Sequence, residues 1–183
     1  MKDWRSWAAE VTLGVQSVPD ELLQRAAAML RSASIVLTAG NGGSSALASH
    51  AAQALMKPGY AAGGGVAAVC LTDMVPTLTA HANDGGWETA LVECARPFFR
   101  LSHQNLDPVL LLISSSGRSK NLVQLAREWP HDVIAFTGFD GGPLKLLAEL
   151  SVHVDVDSDD YEVVEPVHDA LLHRVQAHIR NMK

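Results

Sequence analysis

Residues 34–45 read SIVLTAGNGGSS, an apolar run that ends in clustered glycines and two serines. Short runs that stay apolar, rather than alternating, mark strands covered on both faces, as in parallel sheets. Three more runs share this character: VAAVCLT (66–72), VLLLIS (109–114) and VIAFTG (133–138). SVHVDV (151–156) alternates and is placed at a sheet edge. Helix-like segments separate the runs, at 44–56, 87–101, 119–129, 142–150 and about 161–182. Residues 1–32 precede them as helix. There Leu22, Leu23, Ala26, Ala27 and Leu30 fall at helical spacing, with Asp20 and Glu21 favouring a start. The alternation predicts an α/β fold, an open parallel sheet with helices on both faces. Ligands in such folds sit beyond the carboxyl ends of the strands.

The chain has 183 residues, 48% hydrophobic and 19% charged, which excludes disorder and supplies one core. It reads as a single domain, 1–183, with 1–32 as a helical extension. The net charge is −6 and no basic run occurs, which argues against direct nucleic-acid binding. Two cysteines, Cys70 and Cys94, are too few for a disulfide framework. The start, MKDWRSWAAEVTLG, carries Asp3 and Glu10 and is no signal peptide. No stretch reaches the roughly 18 apolar residues of a membrane helix. A soluble cytoplasmic protein with no membrane partner is the expectation.

Three loops invite a ligand. Ala39–Ser45 follows a strand and opens a helix. Its glycines permit close backbone approach, free N–H groups at a helix start attract anions, and Ser44 and Ser45 can cap the helix. An ordinary glycine turn with a serine cap would look the same. Ser114-Ser115-Ser116-Gly117-Arg118-Ser119 again lies between a strand and a helix, with four hydroxyls for phosphate oxygens. Neither P-loop nor dinucleotide spacing is present, so no nucleotide cofactor is expected. The third, Ala82-Asn83-Asp84-Gly85-Gly86, has turn chemistry and could bond sugar hydroxyls.

Of eight histidines, His81, His103, His131 and His178 read as surface or packing residues, and His153 sits in the edge strand. His50 lies on the helix opened by the glycine loop. On the last helix Glu162 precedes Glu165, His168 and His173. Glu165 and His173 are eight residues apart, about 80° around the helix and roughly 12 Å along it. Only side chains leaning together could share a small ligand.

GNGGSSALASH, AHANDGG, ISSSGRSKN, FTGFDGG and EPVHDALLH together resemble the SIS (sugar isomerase) family, most of all its phosphoheptose isomerases, over nearly the whole chain. The resemblance implies a three-layer open sandwich with a five-stranded parallel sheet, doubly wound in the flavodoxin-like manner, with N-terminal helices. It implies a homotetramer with sites between subunits, acting on a sugar phosphate. Phosphate would be held by Ser114, Ser116 and Ser119, with Ser115 contributing through its backbone. Asn41, Gly42, Ser44 and Asp84 would touch the sugar, and Glu162 is counted with them. The family's metal-binding histidines correspond to His50 and His173.

This chain also departs from the family. The family's catalytic glutamate, four residues after the first histidine, is Ala54 here, and the glutamine of the last helix is Glu165. The arginine that follows in the family is absent, replaced by KPGY. Glu165 is therefore expected to restore the lost carboxylate, giving a His50, Glu165, His173 zinc set with an open position. His173 would be the acid–base partner and Glu165 or Glu162 the substitute base for enediol chemistry. The rival expectation is a non-catalytic SIS protein that binds a phosphosugar or a replication initiator protein. KPGYAAGGG reads as a flexible surface loop or as the segment where sugar selectivity differs.

Overall fold

The structure, a computed structural model, describes residues 3–57, 65–101, 106–157 and 160–182. Most of KPGYAAGGG (58–64) and His103 lie outside the described residues. In chain order the elements are α1 (Trp4–Gln16), α2 (Asp20–Ser32), β1 (Ile35–Gly40), α3 (Gly43–Leu55), β2 (Ala68–Cys70), α4 (Val75–Gly85), α5 (Trp87–Ala95), β3 (Pro108–Ser114), α6 (Lys120–Glu128), β4 (Val133–Thr137), α7 (Gly142–Leu147), β5 (Leu150–His153) and α8 (Tyr161–Asn181). The five strands form one parallel sheet in the order β2-β1-β3-β4-β5.

The period of two along each strand sorts its side chains between two cores. From β3, Val109, Leu111 and Ile113 face one core with α2, α3 and α8. Leu110 and Leu112 face the other, with α5 and α6. Every residue of β3 is buried, which is why the central runs are apolar throughout. β5 alternates between buried and half-buried, as an edge strand should. The chain leaves β1 for β2 on one side and returns to place β3 on the other. The order therefore reverses between β1 and β3, and a crevice opens above their carboxyl ends.

Several boundaries differ from the sequence reading: β2 is only Ala68–Cys70, followed by a 3₁₀ turn over Leu71–Asp73, and β5 ends at His153. The first stretch forms two helices, Trp4–Gln16 and Asp20–Ser32, because Pro19 disfavours a helical backbone at Val18 and interrupts the run. Ala82–Gly86 is not a free loop. It closes α4, which starts with Pro76 in its first turn and stops where Gly86 takes φ +91°. Helix α5 ends at Ala95 and tightens into a short 3₁₀ turn over Arg96–Phe98, where Pro97 cannot donate an α-helical bond. Helix α7 stops at Leu147, since Leu150 already pairs with Ile134 in the sheet.

Helix α8 is tied down along its length. Pro166, inside the helix, has no N–H for the Glu162 carbonyl one turn earlier. The Trp7 indole on α1 donates to that carbonyl instead, at 3.0 Å. Further along, Arg174 Nε donates to Asp20 of α2 at 2.8 Å, and His178 lies 2.9 Å from the same oxygen. The Arg174 guanidinium, with His178 beside it, holds the Asp20 carboxyl well below the usual carboxylate range.

His168 of α8 is fully buried against Phe136, and neither ring nitrogen makes a hydrogen bond of good geometry. Burial lowers its pKa to about 4, outweighing the favourable Thr137 backbone. The unfolded chain, with an ordinary histidine near 6.5, takes up the proton first. Stability is therefore full above about pH 6.5 and falls as pH drops toward 4, by about 3 kcal/mol from this residue. Urea denaturation at pH 7 and pH 4.5 is expected to show this loss, and His168→Leu to flatten it. An unchanged slope in the variant refutes the assignment.

Candidate functional site

A cavity of about 260 Å³ sits in the crevice between the β1 and β3 loops. One wall is Asn41, Gly42, Gly43 and Ser44; another is Ser114, Ser115, Ser116 and Ser119. Helix α8 closes it with Tyr161 and Glu165. Two helix N-termini, those of α3 and α6, converge here, and neither N-cap residue, Gly42 or Ser119, makes a side-chain capping bond. Gly42, at φ +54°, is the N-cap of α3, so Ser44 and Ser45 lie inside the helix and do not cap it. Ser119 is the N-cap of α6, but its hydroxyl makes no capping bond. Backbone N–H groups left free at both starts are anion-binding groups.

The serine loop is built from its own hydrogen bonds. Ser114 Oγ accepts the Gly117 N–H at 3.2 Å and Ser116 Oγ accepts the Arg118 N–H at 3.3 Å. The Ser115 carbonyl accepts the Gly138 N–H at 2.9 Å, and its hydroxyl is buried without a partner. Leaving such a group unpaired costs about 1–3 kcal/mol. Ser114 is 5% exposed and meets the cavity directly, while Ser116 and Ser119 are half-buried.

Glu165 packs its carboxylate against the α carbon of Gly43, in space that any larger residue at position 43 would fill. The acid thus lies at the positive end of α3. Ala54 is buried on α3 at 1% exposure and brings no ionisable group. Glu162 does not line the cavity; its backbone meets Trp7 and Asp160. Asp84, on the last turn of α4, is exposed, bonded to Asn83, and also absent from the cavity wall.

Helices α3 and α8 bring His50 and His173 together, their rings 5.0 Å apart and edge-to-face. The carboxylate between them is Asp169, not Glu165. Asp169 Oδ1 is 3.7 Å from His50 Nδ1 and 3.9 Å from His173 Nε2, and donor atoms of all three lie within 4.8 Å. The expected trio is corrected by the helix itself. Glu165, Asp169 and His173 run up α8 in steps of about 6 Å, so Glu165 reaches the cavity while Asp169 reaches the histidines. Nitrogen and oxygen ligands of tetrahedral zinc sit roughly 3.3 Å apart, so small side-chain shifts would close this set. Two histidines and a carboxylate fit a divalent cation. His173 is outside the cavity wall. The i, i+4 spacing of Asp169 and His173 was the available signal for Asp169; nothing in the sequence singled out Tyr161.

The sequence pattern that defines the SIS domain matches residues 19–138. A phosphoheptose isomerase of Colwellia psychrerythraea is 33% identical over 144 residues, covering 75% of this chain and 70% of the relative. That of Aromatoleum aromaticum is 37% identical over 142 residues, covering 75% and 69%. The solved phosphoheptose isomerase of Francisella tularensis superposes with a TM-score of 0.82 at 26% identity, covering 98% of this chain and 95% of that one. The Neisseria gonorrhoeae enzyme gives 0.76 at 27%, covering 97% and 96%.

Proposed function

The chain belongs to the SIS domain family, and from that premise we propose that it is a phosphosugar isomerase that interconverts a ketose and an aldose, with sedoheptulose 7-phosphate or a related heptose phosphate as substrate. The single observation that carries this reading is the cavity, which sets phosphate-binding groups on one wall and a carboxylate, Glu165, on the other. The serine loop and the α6 N-terminus hold the phosphate. The sugar then extends toward Asn41 and α8. Glu165 removes the proton from the carbon beside the carbonyl, exchanges it with solvent, and delivers a proton to the neighbouring carbon of the enediol, while one hydroxyl proton passes from the first oxygen to the second. The Tyr161 hydroxyl, on the same wall, donates to a sugar oxygen.

His50, Asp169 and His173 would hold a divalent cation, zinc by donor type. A cation bound there would supply a Lewis acid one helical turn along α8 from Glu165. Dialysed protein is expected to take up one zinc per chain. Asp169→Ala should weaken uptake by at least about tenfold, whereas Glu165→Ala should not; equal effects would refute the assignment of ligands.

Assembly as a homotetramer belongs to the same proposal. It would cover apolar side chains that stand exposed, such as Trp4, at 73%, and Trp87, at 52%.

The deciding experiment is incubation of the zinc-loaded protein with sedoheptulose 7-phosphate in deuterated water. Product carrying one deuterium from solvent at the reacting carbon is expected. Tight binding of the sugar phosphate with neither turnover nor exchange would favour a non-catalytic phosphosugar-binding protein, the reading that Ala54 supports.

A further inference from the structure

Asn41 and Asn121 stand 80 positions apart in sequence and form a two-way amide pair. Asn41 Nδ2 donates to Asn121 Oδ1 at 2.9 Å, and Asn121 Nδ2 donates back to Asn41 Oδ1 at 3.0 Å. Asn121 Oδ1 also accepts the Leu122 backbone N–H at 3.0 Å. A backbone donor tolerates only an oxygen opposite it, so this third bond fixes which way the Asn121 amide faces. The reciprocal pair passes that orientation to Asn41. Asn121 is 1% exposed, on the first turn of α6, whereas Asn41 is half-buried and lines the cavity.

An amide offers two N–H donors and two carbonyl lone pairs. The clasp uses one of each on Asn41. One N–H and one lone pair remain, at opposite ends of the amide, one to donate and one to accept. A sugar, whose hydroxyls both donate and accept, can satisfy both ends. A phosphate, whose oxygens only accept, can satisfy the N–H alone. The clasp also joins the β1 loop to the helix that follows the serine loop.

We infer that Asn121 is a positioning residue that sets the Asn41 amide to read a sugar hydroxyl and to discriminate it from phosphate. The inference rests on the phosphosugar reading above. Asn121 itself touches no ligand; its effect is carried by Asn41.

A double-mutant cycle read by calorimetric titration tests this, with inorganic phosphate and sedoheptulose 7-phosphate as the two probes. Asn41→Ala and Asn121→Ala are each expected to weaken the sugar phosphate by about tenfold. Inorganic phosphate should move less than twofold in either. The double variant should bind no more weakly than Asn41→Ala alone, because Asn121 has nothing left to orient. Should Asn121→Ala fail to fold, Asn121→Asp takes its place. Its carboxylate still accepts from Leu122 and Asn41 but cannot donate to Asn41 Oδ1; its charge weakens any phosphate at the α6 N-terminus, so the sugar phosphate is expected to lose about tenfold more than inorganic phosphate does. Losses that add in the double variant, or a parallel loss of inorganic phosphate, overturn the inference and leave the phosphosugar reading standing. Wild-type protein that binds neither probe overturns both.

Discussion

Glu165→Gln is expected to lower kcat for heptulose phosphate isomerisation by about 10²–10⁴-fold, with KM changed little. Glutamine keeps the shape of the side chain, so its contact with Gly43 at the start of α3 survives. It loses the capacity to take a proton from carbon. The loss belongs to kcat, because the group acts in the transition state and contributes little to ground-state binding. Steady-state kinetics on both proteins, with zinc content matched, measures this. Deuterium exchange into substrate should fall in step. Wild-type turnover in the variant would move the base elsewhere and end the assignment of Glu165. The comparison has particular weight because Ala54 occupies the position where the family resemblance places a glutamate. Among the described residues one carboxylate stands on the cavity wall, and it comes from α8 rather than α3.

The second large effect lies in the backbone. Gly117 takes φ +60°, and a Cβ there would collide with the Gly141 carbonyl of the neighbouring loop. Gly117→Ala therefore combines a left-handed strain of about 1–2 kcal/mol with a clash against backbone, which cannot swing aside. A total loss of about 2–4 kcal/mol in urea denaturation is expected. The loop must move to relieve the clash, so phosphate affinity should also fall by at least about tenfold. Gly42→Ala is the control. Its φ is +54°, but no atom lies within 4 Å of the added carbon. With ψ at −127° it lies outside the left-handed helical region and should show the backbone strain alone, about 1–3 kcal/mol. Equal stability losses in the two variants would mean that the packing of Gly117 on Gly141 does not hold the serine loop.

Much of the fold was legible because strand and loop signals are local. Val109 to Ser114 is apolar at every position, and that pattern alone implies burial on both faces. The glycines and serines that follow β1 and β3 mark where the chain turns above the sheet. Helix α4 escaped because its residues carry mixed signals. It buries only Leu78, and its Asn-Asp-Gly end has turn chemistry. The capping serines were misplaced for a related reason. Gly42, with a backbone other residues resist, became the N-cap and drew Ser44 into the helix.

The amino-acid order by itself determined the parallel sheet, the two ligand-facing loops and the pairing of chemistry-bearing residues with α3 and α8. Each of these follows from short-range periodicity and from what glycine and serine permit. Only the tertiary structure decided that Asp169 joins His50 and His173, that Glu165 faces the serines, and that Asn121 holds Asn41. Helical spacing says which residues share a face, but the height and rotation at which two helices meet come from the packing of distant side chains. A shift of one turn along α8, about 5.4 Å, would carry one of the two carboxylates to the other's place.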